Sequence, residues 1–173
     1  MKPLKVSVPA NSIVSTLLND AYFADAYAVA DPAPQRSAME QWLDIVKSAP
    51  VWVERAMDLR NAVVSRLGLK DLGRLGGVDS GKPAWDYRIG DRVGIFSLQH
   101  MTSNEVVMAD SDSHLDVHVS LFKSSPDDRV VVSTVVHVKN WFGRLYMLPV
   151  APVHRIIVPT TLSRLTLSTR FSS

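Results

Sequence analysis

The chain has 173 residues, of which 46% are hydrophobic and 21% charged, a balance typical of one globular domain with a sizeable core. The formal net charge is only +2 and no basic cluster interleaves with aromatic residues, so the composition does not favour nucleic-acid binding. Cysteine is absent, which excludes thiol catalysis, disulfide bonds and thiolate metal sites. We therefore expect a single domain over residues 1–173.

Residues 1–20 are predicted to be an N-terminal extension. Their apolar run, residues 13–18, is interrupted by Asn19 and Asp20, so no signal peptide is predicted. The nearest approach to a membrane segment is residues 141–167, which contain three arginines and three prolines and fall short of the roughly eighteen uninterrupted apolar residues that a span needs. We expect a cytoplasmic protein without a membrane span.

A short strand and two helices come next in the chain. Residues 24–30 have strand character and stop at the Asp31–Pro34 segment, which cannot continue a regular element. Residues 37–47 carry an apolar stripe at helical spacing, and a second helix is predicted from Pro50 to a cap at Gly68. The glycine-rich residues 69–82 are predicted to form a loop.

Most of the chain from residue 85 to residue 138 is predicted to be strand. The predicted strands cover residues 85–89, 92–99, 105–109, 113–122 and 129–138. Because the last two strands alternate polar and apolar residues, each is predicted to have one solvent-facing side and one buried side. Burial is worth roughly 1.5–3 kcal/mol for each large apolar side chain. This fixes one side of residues 113–122 as the inner side, namely Leu115, Val117, Val119 and Leu121.

A final helix is predicted over residues 140–167. Pro149, Pro152 and Pro159 interrupt its hydrogen bonding, at about 3 kcal/mol or more for each interior proline unless the helix kinks or starts there. We expect a broken or bent helix whose inward side carries Val153, Ile156 and Ile157. The curved antiparallel sheet would then present an apolar inner wall to this helix.

This order of elements resembles the helix-grip fold of the START and Bet v 1-like (SRPBCC) superfamily, an α+β architecture. In that fold a curved antiparallel sheet surrounds a long C-terminal helix, here with two helices inserted after the first strand. More narrowly, five segments look like domain-of-unknown-function family 2867, and the similarity covers nearly the whole chain. They are residues 22–27, 89–96, 112–116, 143–146 and 152–155.

The resemblance to family 2867 implies no established catalytic residues. At Ser113 this chain departs from the family, which usually has a second charged residue before the His-Leu-Asp run. Some relatives are fused to a nucleotide-binding reductase-like domain, which implies that such a protein could act as a separate partner here.

Two segments carry residue types suited to phosphate or metal binding. Residues 76–82 have phosphate-loop spacing, but Pro83 replaces the required hydroxyl residue, so a plain glycine-rich connection is favoured. His114, Asp116 and His118 share one strand side, which His137 could join. Because residues two apart on a strand lie about 6.6 Å apart, a metal would need Asp116, one histidine and a cross-strand ligand. The favoured interpretation is a solvated convex face, so neither a metal nor a cofactor is predicted.

Two functional hypotheses remain, and both place the site between the sheet and the final helix. The first is binding of a small hydrophobic molecule, with polar groups such as Asp91 and Arg92, or His154 and Arg155, orienting it. The second is a cyclase- or hydratase-like enzyme in which Tyr146 or His154 acts as acid or base. A domain whose partner performs the chemistry is a smaller alternative. The predicted ligand-binding residues are Val117, Val119, Leu121, Val132, Val136, Met147, Ile156, Arg92 and Arg155.

Overall fold

A computed structural model describes residues 2–65, 77–78, 81–125 and 127–168, which form an antiparallel sheet and three α-helices. The seven strands are β1 Leu4–Val6, β2 Phe23–Ala30, β3 Arg92–Val93, β4 Phe96–Met101, β5 Glu105–Ser111, β6 Leu115–Ser124 and β7 Arg129–Val138. Their order in the sheet is β1-β2-β7-β6-β5-β4-β3. The helices are α1 Ala38–Lys47, α2 Val51–Ser65 and α3 Trp141–Ser168. The fold is therefore α+β, as the sequence predicts.

The strand predictions are confirmed for β2, β5, β6 and β7 and wrong in two places. Residues 85–89 form no strand, because a short 3-10 turn occupies Ala84–Asp86. Residues 92–99 form two strands instead of one, since Gly94 adopts a φ of 62° and reverses the chain between Val93 and Phe96. Residues 4–6, inside the predicted N-terminal extension, pair with β2 as an edge strand.

Helix α1 begins at the predicted boundary, Ser37, where the structure shows a capping box. The Ser37 hydroxyl accepts a hydrogen bond from the Glu40 backbone N–H at 3.3 Å, and the Glu40 carboxylate accepts one from the Ser37 backbone N–H at 2.8 Å. Hydrogen bonds from the Ser37 backbone and hydroxyl lower the pKa of Glu40. Helix α2 follows Pro50, as predicted; its predicted end at residues 66–68 and most of the predicted loop 69–82 lie outside the described residues.

The inner face of the sheet carries the apolar side chains that the alternation predicts. Val117 pairs with Val136, and Val119 pairs with Thr134, across β6 and β7. Leu115, Val119 and Leu121 are buried on this side, under the helices. The inward orientation of these β6 residues is therefore confirmed.

The predicted solvated outer face is wrong over the middle of the sheet, because the N-terminal segment covers it. Val14 packs there against Val107 and Val135. The buried Glu105 carboxylate accepts hydrogen bonds at 2.6 Å from the hydroxyls of both Ser12 and Ser120. Polar residues on the outer side of β6 are thus partners of a distant segment, which local alternation cannot reveal.

Helix α3 is unbroken from Trp141 to Ser168 despite its three prolines. At about 100° per residue, Pro152 and Pro159 project within about 20° of Trp141, whose side chain is exposed. The backbone carbonyls that lose their donors belong to the exposed residues Leu145, Leu148 and Arg155. Because these residues are exposed, we expect water to pair with the carbonyls that the prolines leave without a donor.

Candidate functional site

A cavity of about 790 Å³ lies between the inner face of the sheet and the helices. Strand β2 contributes Phe23, and helix α1 contributes Trp42, Ile45 and Val46. Helix α3 supplies the largest share of the wall, from Phe142 to Leu162. The sheet floor includes Leu115, Val117 and Val119 of β6 and Val132, Thr134 and Val136 of β7.

The cavity wall is apolar except at a few points. Hydroxyl, carboxyl and imidazole groups enter the lining only through Asp110, Thr134, Tyr146, His154 and Thr161 among the described residues. An apolar wall with a few placed polar groups is the usual form of a small-molecule site, and volumes of about 300–1,000 Å³ are typical.

One polar point joins α3 to β2. His154 Nε2 lies 3.2 Å from Asp25 Oδ1, and the Asp25 side chain is only 2% exposed. The His154 and Phe23 rings are nearly perpendicular, with their centroids 5.5 Å apart. Because a carboxylate only accepts hydrogen bonds, a neutral His154 donates through Nε2 and keeps an acceptor lone pair on Nδ1.

Two further buried oxygens lie close to this pair in the sheet. Asp25 and Thr134 are register partners of β2 and β7. Within the described part of the chain, neither Asp25 Oδ2 nor Thr134 Oγ1 has a hydrogen-bond partner. Buried polar atoms without partners are uncommon in folded proteins and are often found at functional sites.

A second polar point lies on the other side of the cavity, on β5. Asp110 faces the cavity, and its Oδ1 lies 3.7 Å from Arg92 Nη1. Strands β2 and β5 are separated by two strands, hence by roughly 14 Å at the usual spacing. The middle of the cavity is therefore apolar. The Asp110 carboxylate belongs to the lining on one side, and the Asp25 carboxylate lies behind His154 on the other.

The structure brings together most of the predicted site residues, although their roles stay predictions. The cavity lining includes Val117, Val119, Val132, Val136, Met147, Tyr146 and His154. Tyr146 and His154 are eight residues apart on α3, about 12 Å along the helix axis.

Four predicted ligand-binding residues lie outside the cavity lining. Ile156 was expected to point inward and is instead exposed. The prediction was wrong because apolar residues occur on every side of α3 and so do not mark its buried face. Leu121 faces inward but is fully enclosed in the core beside the cavity. Arg92 reaches the lining only through Asp110, and the exposed Arg155 lies over the Phe23 ring at 5.5 Å.

The histidine-rich outer side of β6 does not assemble a metal site. Over residues 2–65, 77–78, 81–125 and 127–168, no three histidine or acidic side chains are grouped to hold an ion. His114 bonds to Asn140, and Asp116 forms an ion pair with Lys139 at 2.7 Å. Burial raises the pKa of Asp116, but the hydrogen bonds from Lys139 and Ser111 outweigh it, so the net shift is downward.

Of the phosphate-loop-like residues 76–82, the described residues include only 77–78 and 81–82. Lys82, which would contact phosphate, instead lies 2.7 Å from Asp91. Hydrogen bonds from Lys82 and from the Arg88 backbone lower the pKa of Asp91. Asp91 does not belong to the cavity lining. The Lys82–Asp91 ion pair therefore lies within the segment before β3 and is not part of the candidate site.

Sequence reasoning missed Asp25, Asp110 and Thr134. Asp25 had a recognisable signal, because it alternates in phase with Phe23 and Tyr27 and so occupies the buried side of β2. A charged residue on that side of a strand indicates either a partner or a function.

Comparison with known proteins gives one positive finding. The family model described as "Protein of unknown function (DUF2867)" matches residues 17–161. No curated protein and no solved structure matches the chain. Of the helices in the described residues, none has the length and apolar character to cross a bilayer.

Proposed function

Given that the chain belongs to the DUF2867 family, we propose that it is a helix-grip protein of the START and Bet v 1-like superfamily that binds a small hydrophobic molecule. The antiparallel sheet, the C-terminal helix and the cavity between them support the superfamily assignment. A cytoplasmic location fits this role. Nucleotide-binding reductase-like proteins are the candidate partner class, as the resemblance implies.

The observation that carries the proposal is the size and apolarity of the cavity. Protein interiors are close-packed and contain few voids larger than a water molecule. A space of about 790 Å³ is therefore too large to be a packing defect. When an apolar molecule enters, the apolar wall would release water. This burial would contribute a favourable free energy of roughly 25 cal/mol per Å² of apolar surface.

Ligand binding is tested with a fluorescent apolar probe, anilinonaphthalene sulfonate, and a variant that fills the cavity. Val119 lies on the cavity floor, so Val119→Trp should weaken probe binding by about tenfold, or 1.4 kcal/mol. Val51→Trp is the matched control, because Val51 is exposed and does not belong to the lining. Fluorescence titration of both variants measures the effect. Failure of the native protein to bind the probe saturably, or equal weakening by both variants, would contradict the proposal.

A second candidate function is acid–base catalysis inside the same cavity, as in a cyclase or hydratase. The specific observation in its favour is the His154–Asp25 contact, which resembles a catalytic base held by a buried carboxylate. His154 Nδ1 would take a proton from a carbon next to a carbonyl group. Tyr146 is the second candidate acid, on the same helix.

Proton abstraction is tested with 2-tetralone, an apolar ketone with acidic C–H bonds. The native protein should accelerate deuterium exchange into 2-tetralone in D₂O, with the proton passing to His154 and deuterium returning from solvent. His154→Gln should remove the acceleration, and Asp25→Asn should reduce it by roughly 10²-fold or less, the lower end of general-base effects. NMR measures exchange, and thermal unfolding checks that both variants fold. Acceleration that survives in His154→Gln excludes this residue as the base.

A further inference from the structure

The outward side of α3 is apolar from Trp141 to Ile156. Trp141, Leu148 and Ile156 are 74%, 65% and 60% exposed. At about 100° per residue, their side chains project within an arc of about 80°, which Leu145 and Pro152 share. We call these five residues the α3 stripe. Single exposed apolar residues are common in proteins, but a continuous row of five indicates a surface that contacts something.

The charged residues of helix α3 are all basic. Residues 141–168 contain three arginines and neither aspartate nor glutamate. Arg144 and Arg155 are exposed and border the stripe on the same side, about 40–60° from Trp141 around the helix. A second copy of the chain would oppose its own arginines across such a contact, which is unfavourable. Tryptophan, leucine and isoleucine flanked by arginine instead match helices that lie in the headgroup region of an anionic bilayer.

The stripe is continuous with the mouth of the cavity. Leu145, Leu148 and Val153 line the cavity and are also substantially exposed. A molecule that enters or leaves the cavity beside α3 therefore passes these side chains. An apolar molecule that crosses here would avoid water if the stripe were in contact with lipid.

We propose that the α3 stripe docks the protein on an anionic lipid surface, with the cavity mouth against the bilayer. The transfer of a ligand from the bilayer rests on the proposed hydrophobic-ligand function. Docking itself depends only on the stripe and its arginines.

The test is flotation with vesicles of phosphatidylcholine alone and of phosphatidylcholine mixed with phosphatidylglycerol. The native protein should float with the mixed vesicles, and added salt should weaken this association. The double variant Trp141→Ala/Ile156→Gln should bind about tenfold less, because each change removes apolar area from the contact. Neither residue belongs to the cavity lining.

The matched control is Trp85→Ala/Ile89→Gln, which changes the same residue types at similar exposures of 75% and 68% away from α3. This control should float like the native protein. Three results would overturn the proposal: no flotation with mixed vesicles, equal losses in both double variants, or a dimer in ultracentrifugation that only the α3 variant dissolves. Titration with anilinonaphthalene sulfonate without vesicles separates the two proposals, because the α3 variant should bind the probe normally. If the native protein fails to bind anilinonaphthalene sulfonate, the ligand-binding proposal is refuted. The flotation result then still decides the docking proposal.

Discussion

Replacing Gly143 with alanine is expected to destabilise the protein by about 2–3 kcal/mol, although Gly→Ala inside a helix normally stabilises. A Cβ at this position would lie 2.5 Å from the His114 carbonyl oxygen and 2.9 Å from Val138 Cγ1. The same His114 carbonyl oxygen accepts a hydrogen bond from the Lys139 backbone N–H at 2.8 Å. It cannot move without disturbing the β6–β7 end of the sheet, so α3 must shift instead.

Thermal unfolding measures the effect of Gly143→Ala, expected as a loss of roughly 4–12 °C in Tm. Adding Val138→Ala removes only the side-chain contact, so the double variant should not recover stability. Gly90→Ala is the control, because Gly90 has open space around it and only an unfavourable φ of 96°. Gly90→Ala should therefore cost less, about 1 kcal/mol. A Gly143→Ala protein as stable as the native one would mean that α3 does not approach the sheet this closely.

Glu105→Ala is expected to cost about 3 kcal/mol or more. The Glu105 carboxylate is buried and accepts hydrogen bonds from Ser12 Oγ, Ser120 Oγ and the Ile13 backbone N–H, the last at 3.1 Å. Alanine leaves two buried hydroxyl donors and the part-buried Ile13 N–H without this acceptor, and it opens space under the N-terminal segment. The loss should therefore weaken the attachment of residues 12–17 to the outer face of the sheet.

Urea unfolding of Glu105→Ala gives the free-energy change, and amide hydrogen exchange of residues 12–17 reports whether the segment detaches. Glu105→Gln should lie between the native protein and Glu105→Ala, because glutamine keeps the size and one acceptor oxygen. Asp127→Ala is the surface control, since Asp127 is exposed in the β6–β7 turn. Unchanged exchange at residues 12–17 in Glu105→Ala would show that the apolar contacts of Val14 alone hold the segment.

The functional site divides into residues that local pattern predicts and residues that it cannot. Val117 and Val119 are recognisable because strand alternation is local, and their inward direction follows from the apolar neighbours on the same side. His154 could be predicted as a candidate acid or base. Its contact with Asp25 could not be predicted, because the two residues are 129 positions apart in the chain. Ile156 was assigned to the wrong side because apolar residues occur on every side of α3, so hydrophobic contrast does not mark its buried face.

By itself, the sequence determined the α+β class, the long strands, the start of α1 at Ser37 and the inner side of the sheet. Each of these depends on interactions within a few residues or on the period of one element. Only the tertiary structure decided that residues 4–17 extend the sheet and cover its outer face, and that Asp25 supports His154. The side of α3 that stays exposed was decided there as well. These outcomes depend on contacts between distant segments, whose energies no local pattern contains.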